Sequence, residues 1–290
     1  MLAKHLQNLQ VVAEDGVTYA LYTGGNPTKF LFLDGAGVAT VRRITQRTPL
    51  QNGVTDRGYR LEPRKMTLAL FIDENSELYA DVQRDLLAYI FGPTNAPIYL
   101  RATRLDNTIR QIACYVDGTL EFPQSERMGA SQRVLVPLFC PDPTWYDPTQ
   151  IVSTNSFSAS PLTVNITNSD FTADEWPIID VTGPVTSLSI LHSVTTEYLT
   201  FSTAILAGET YRIDLRPGYK TIKRTSDNAE RIGYLSDSTS VNMASVRILS
   251  YKDMKRIDSS FTAERFVFTG TGLTGASSVS ISYYKRYISL

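Results

Sequence analysis

The stretch 121–148, EFPQSERMGASQRVLVPLFCPDPTWYDP, constrains the fold of this 290-residue chain more than any other part. Val134, Leu135, Val136, Leu138, Phe139 and Cys140 follow one another with little polar interruption. That pattern is expected of a strand covered on both faces, inside a sheet or barrel wall. The strand stops at Pro141-Asp142-Pro143, and Trp145-Tyr146-Asp147-Pro148 follows. Prolines remove backbone donors and fix φ, so neither a helix nor a central strand can continue through this segment. Pro141, Pro143, Trp145 and Pro148 therefore read as a stiff interdomain elbow, with Trp145 buried against the end of the first domain. After it Ser, Thr and short alternating strands take over. The expected division is a domain 1–148 and a domain 149–290.

The first domain reads as mostly β with one helix. Met66, Leu68, Leu70 and Ile72 alternate on one face of a strand. Asp73 follows as a candidate N-cap, and Glu74 and Glu77 suit the positive end of a helix dipole. Leu78, Val82, Leu86 and Ile90 recur at helical spacing and predict a stripe packed on a sheet; Gly92-Pro93 ends the helix. Strands are expected over 98–103 and 109–116, with turns at 105–108 and at Asp117-Gly118. This order fits a small split barrel or sandwich carrying one α-helix.

Residues 149–290 alternate in short strands. Leu162, Val164 and Ile166 face one way, with similar runs at 177–181, 188–191, 198–201, 211–215, 246–249, 265–268 and 279–284. Gly208, Pro217-Gly218, Gly233 and the cluster 270–275 punctuate them. No helical period stands out, so the pattern predicts an antiparallel β-sandwich of jelly-roll type.

With these segments in view, the chain resembles the distal tail proteins of long-tailed, siphophage-type bacteriophages. The resemblance rests on the strand and elbow at 134–148, on TADEWPIIDVTGPV at 172–185, and on SVSISYYKRY at 278–287. It implies a structural virion protein at the distal end of the tail, made in the host bacterial cytoplasm. It further implies a homo-hexameric ring of first domains between the tail tube protein and a tail-associated tip protein. Peripheral β-sandwiches, galectin-like in fold as the resemblance implies, would hold receptor-binding proteins or meet a host-surface glycan. The alternative is a carbohydrate-binding β-sandwich protein acting in host attachment, using rings such as Tyr198, Tyr211, Tyr219, Tyr234 and Tyr251.

Chemistry-bearing motifs point away from an enzyme. Gly270-Thr-Gly272-Leu-Thr-Gly275 follows the dinucleotide pattern, but a strand and not a helix comes after it, so it reads as a glycine-rich hairpin. The two histidines, His5 and His192, lie in different domains, and no Gly-x-Ser-x-Gly elbow is present. Asp142 and Asp147 beside Trp145, and Asp174 and Glu175 beside Trp176, read as turn formers among prolines. No cofactor, metal site or catalytic residue is expected. Cys114 and Cys140 sit in apolar runs and read as buried thiols. The formal net charge of −1 argues against a dedicated nucleic-acid binder. No run of about 18 apolar residues predicts a membrane span, and residues 1–16 lack the apolar core of a secretory signal.

One segment departs from this neutrality. Residues 40–65 hold Arg42, Arg43, Arg47, Arg57, Arg60, Arg64 and Lys65 against Asp56 and Glu62. A long hairpin with solvated arginines is one reading. Contact with a neighbouring subunit or the tail tube, through Arg57, Arg60 and Arg64, is a second, and DNA contact is a third, disfavoured because Tyr59 is the only ring in the stretch.

Overall fold

The structure, a computed structural model, describes residues 6–23, 30–47, 53–93, 95–123, 127, 129–167, 170–236, 243 and 246–290. The chain forms two compact units, Met1–Pro148 with Tyr287–Leu290, and Thr149–Arg286. The expected second domain, 149–290, is thus corrected at its end: residues 287–290 return to the first unit.

The first unit contains β1 (Leu6–Val12), β2 (Thr18–Thr23), β3 (Phe30–Asp34), β4 (Val41–Gln46), β5 (Thr55–Leu61), β6 (Arg64–Asp73), α1 (Glu77–Ile90), β7 (Ile98–Arg104), β8 (Ile109–Val116), β9 (Ser131–Cys140) and β10 (Trp145–Tyr146). Its main sheet runs β2-β1-β7-β8-β9-β6-β3, and all these pairings are antiparallel. β8 divides the sheet: Ile109–Cys114 pair with β7, while Tyr115 and Val116 pair with Phe139 and Leu138 of β9. The end strands β2 and β3 do not pair with each other among the described residues, so the split barrel stays open.

β9 is central, as its apolar run suggests, but it is not covered on both faces. Gln132, Val134, Val136, Leu138 and Cys140 are buried, and the residues between them are half-exposed. Pro137 is tolerated inside this strand because β8 has already ended alongside it; the Pro137 carbonyl accepts from Asp117 N–H at 2.9 Å. The inward face of β9 meets Leu68, Leu70, Leu100, Ile112 and Trp145 in one core. Within it the Cys114 and Cys140 sulphurs lie 3.2 Å apart as free thiols. Burial pushes the Cys114 thiol well above its ordinary pKa.

The helix differs from expectation at its start and in its orientation. β6 runs on through Asp73, whose carboxylate accepts from the Ser131 hydroxyl at 2.6 Å, and Ser76 caps α1 instead. Ala80, Leu87 and Ile90 form its buried face, whereas Leu78 is 71% and Val82 55% exposed. α1 is apolar on two sides, and packing selects the side carrying the small Ala80.

The second unit is a sandwich of two antiparallel sheets. One orders β11 (Ile151–Ser156), β19 (Ser278–Tyr283), β13 (Ile178–Thr182), β16 (Thr210–Asp214) and β17 (Thr221–Arg224); the other orders β12 (Leu162–Ile166), β18 (Glu264–Thr271), β14 (Ser187–His192) and β15 (Glu197–Phe201). Alternate residues such as Val164, Ile179, Val181, Ile190, Phe266, Phe268, Val279 and Ile281 fill the space between them.

Two sequence expectations fail here. The segment 246–249 contributes only an isolated bridge between Ile248 and Glu175, and α2 (Tyr251–Ile257) follows, capped by Ser250 with Asp253 three residues on. The glycine cluster 270–275 is not a hairpin, since β18 and β19 lie in different sheets and it carries the chain between them. Gly272 has φ +67°, and a Cβ there would meet Thr186 Oγ1 at 2.1 Å.

Candidate interface hairpin and the Arg64 clamp

β4 and β5 form a separate two-stranded sheet. Every residue of β4 is exposed, and in β5 only Gly58 and Leu61 are partly covered. Val41, Ile44, Val54 and Tyr59 are thus apolar groups in water, 44–56% exposed. An isolated hairpin of this kind is marginal in water.

Its charge is arranged with some tension. Arg42 stands directly across from Arg60, a destabilising pairing that Glu62 offsets by reaching Arg42 at 3.7 Å and Arg60 at 2.9 Å. Arg43 pairs with Asp56 at 3.1 Å, and Arg57 Nε donates to Gln46 at 2.8 Å. Arg42, Arg43, Ile44, Thr45 and Arg60 line an open cleft of about 370 Å³. Five arginines against two acids leave the ribbon positive. Arg57 and Arg60 lie on this ribbon and can reach a partner.

Arg64 cannot. It is the first residue of β6, 3% exposed, and its side chain points into the first unit. Nε and Nη2 donate to the Pro143 carbonyl at 3.0 and 2.8 Å, Nη1 to those of Gly35 and Gly37 at 2.7 and 2.5 Å, and Nη2 also to that of Ile288 at 2.9 Å. One guanidinium thus ties the 35–37 loop, the proline elbow and the returning segment 287–290 to β6. Burial lowers its pKa from the usual arginine value. Expecting Arg64 at an interface was an error, because a buried cation satisfied by backbone oxygens looks in sequence like any other member of a basic run. Lys65 likewise belongs to β6 and reaches Asp117 at 3.0 Å.

The elbow is built around this clamp. Pro141 is exposed, Pro143 and Pro148 are partly covered, and Trp145 is fully buried in the first unit's core. Asp142 closes the turn by accepting from the Thr144 N–H and hydroxyl at 3.0 and 2.6 Å. Tyr146 pairs with Gln111 of β8. Arg110 supports the returning segment, lying 3.9 Å over the Tyr287 ring and donating to the Ser289 carbonyl at 2.7 Å.

The remaining candidates are occupied structurally. His192 is fully buried, 2.6 Å from Glu264 and 2.7 Å from the Thr195 hydroxyl. His5 lies outside the described residues. Asp174 accepts from Arg247 and from Ser250 N–H, and Glu175 from Arg286 and Tyr284 N–H. Of the rings a sugar could stack on, Tyr211 is buried against Tyr234, Tyr219 is exposed under Arg216, and Tyr251 starts α2. A cleft of about 260 Å³ on the β18/β14/β15 sheet is lined by Ser160, Ser187, Ser189, Thr200, Thr269 and Thr271 and by no ring. No helix is long and apolar enough to cross a membrane, and no metal-type cluster of His, Cys, Asp or Glu occurs, both among the described residues.

Residues 14–140, which supply most of the open split barrel, match the family model described as the phage tail protein RIFT-related domain. That domain is what this part of the first unit is similar to. No curated protein matches the sequence. Solved structures extend the likeness beyond that domain. The SPP1 Dit protein, titled a paradigm of the hub adsorption apparatus in phages infecting Gram-positive hosts, superposes with a TM-score of 0.62 at 11% identity, over 96% of this chain and 99% of that one. A chain of the phage P2 baseplate, in its activated conformation with Ca, gives 0.50 at 7% identity, over 98% and 99%. At such identities the likeness concerns fold, and it spans both units.

Proposed function

We propose that this chain is a structural component of the virion, located at the distal end of a phage tail. First units assemble there into a ring, six-membered as the resemblance implies, between the tail tube protein and a tail-associated tip protein. The second unit serves as the peripheral part that receives receptor-binding proteins or a host-surface glycan. The single observation that carries this reading is the exposed, basic, two-stranded ribbon β4–β5, set in a domain of phage tail type.

A ribbon with no covered face gains stability when a partner buries its apolar groups and completes its charges. Arginine suits this role because its planar fork binds carboxylates and tolerates desolvation better than lysine. With 29 acids against 28 bases in the chain, acidic groups outside the ribbon are available to meet it in a neighbouring copy. DNA is a poor partner, since sequence-independent phosphate contacts need a net basic domain. The chain acts by assembly and has no catalytic activity of its own.

Light scattering on the purified protein tests this. Mass near six protomers, falling on Arg57→Ser with Arg60→Ser in a salt-dependent way while the monomer stays folded, is the expected result. A monodisperse monomer at high concentration, which also fails to enter a ring with its tail partners, overturns it.

A further inference from the structure

We infer that the outward face of α1 is the surface that receives the β4–β5 ribbon of a second copy of this chain. The inference rests on the ring reading above and assigns it a counter-surface. Leu78, Val82 and Tyr89 fall within about 40° of one another on the helix, and they are 71%, 55% and 63% exposed. Together they make an unpartnered apolar stripe on the side opposite Ala80 and Leu87. Tyr89 is held in place by its hydroxyl, which donates to Asp15 at 2.9 Å.

Acids border the stripe. The helix and the turn before it carry Glu74, Glu77, Asp81 and Asp85 against Arg84, and Arg127 reaches Glu77 at 2.8 Å, which leaves a net negative edge. Arg84 is held by Glu77, Asp81 and Gln132, so it does not reach outward to neutralise Asp85. Asp85 has no ion pair among the described residues. The ribbon is the reverse image: apolar Ile44 and Tyr59 among arginines in excess. Apolar groups match apolar groups and opposite charges surround them, which is the pattern of a specific interface.

The two surfaces do not meet within one chain, so any contact between them is made between copies. The ribbon enters β6 at Arg64 and α1 leaves it after Asp73. At about 3.4 Å per residue the two ends of this strand are about 30 Å apart, and both patches are uncovered in the single chain. Two different patches can pair reciprocally about a two-fold axis or head to tail, and only the second generates a larger cycle when the rotation closes; the ring reading selects the second.

A charge swap on the full-length chain tests the inference by light scattering and sedimentation at two salt concentrations. Asp85→Lys, and separately Arg57→Glu with Arg60→Glu, should each weaken self-association by at least about 10-fold, with circular dichroism and melting temperature near those of the parent. Combining all three should restore assembly. Leu78→Ser with Val82→Ser should weaken it too, with little salt dependence. If ribbon reversal abolishes assembly while the helix variants assemble normally, or if the combined variant fails to recover, the counter-surface is wrong and the ribbon reading stands. If the parent never associates, both fail.

Discussion

Replacing Arg64 by Met should cost the first unit more than any exposed arginine in the chain. The side chain is nearly isosteric along its stem, so the loss falls on the polar end. Four carbonyls, those of Gly35, Gly37, Pro143 and Ile288, would lose their donor in a site 3% exposed. A buried acceptor left unsatisfied costs about 1–3 kcal/mol. Part of that total is offset, because the folded variant no longer carries a desolvated guanidinium, a term of several kcal/mol. The net destabilisation is therefore about 3–5 kcal/mol. For a unit of about 150 residues, 1 kcal/mol corresponds to about 2–4 °C, so its melting temperature should fall by about 10 °C. Arg64→Lys should fall between the two, since one ammonium cannot reach all four carbonyls. Differential scanning calorimetry of the full chain reads the shift, which should be independent of salt and of protein concentration. An unchanged first transition in Arg64→Met, combined with lost self-association, would refute this reasoning and return Arg64 to the subunit interface.

Trp145→Ala should destabilise the same unit by about 3–5 kcal/mol, as a cavity in a fully enclosed site does, and an unshifted thermal transition would contradict the burial described here. In the second unit, Arg224 holds the carboxylates of Asp227 and Glu209 below their ordinary pKa values. Groups depressed in the folded state contribute stability at neutral pH and lose it on acidification, so stability should decline as pH falls through about 4 and below. Arg224→Met should flatten that decline in urea titrations, and an unchanged pH profile would count against the cluster. Gly272→Ala should destabilise the second unit by more than about 1 kcal/mol, because the residue has positive φ and Thr186 occupies the space of a Cβ; a silent substitution would show that the 272–277 connection relaxes freely. Purified protein should hydrolyse neither polysaccharide nor peptide, and turnover abolished by Asp142→Asn or Asp147→Asn would reverse that assignment.

Much of the architecture is legible in the sequence because alternation and turn residues report local geometry directly. The strands of the second unit fall within a residue or two of their expected places at 177–181, 188–191 and 279–284, since each alternates and ends at a turn. α2 is missed because seven residues are too few to show a period, although Ser250 followed by Asp253 is a capping signal. The glycine cluster at 270–275 is misread for a different reason. Adjacent strands joined by a short loop pair in a hairpin or part into two sheets, and only tertiary packing decides. α1 carries two apolar stripes, and periodicity cannot say which one a sheet covers. Arg64 is the instructive case, since its partners are backbone carbonyls contributed from positions 29, 79 and 224 residues away along the chain. No local pattern encodes them. The ribbon is the opposite case: its polarity and its arginines announce exposure, and exposure is what the fold gives.

The return of residues 287–290 to the first unit bears on the order in which the protein can be completed. A ribosome releases Arg64, the elbow and the rest of 1–148 before any of the second unit. The Ile288 carbonyl follows only after about 140 further residues, which at 5–20 residues per second takes about 7–28 s. During that interval one Nη2 contact of the clamp and the Tyr287 contact with Arg110 are unmade. Chains interrupted anywhere in 149–286 would keep the basic ribbon and the acidic helix face but hold a first unit short of its closing contacts. Such fragments would be the first to unfold, so the full stability of the first unit waits on a segment translated after the whole of the second.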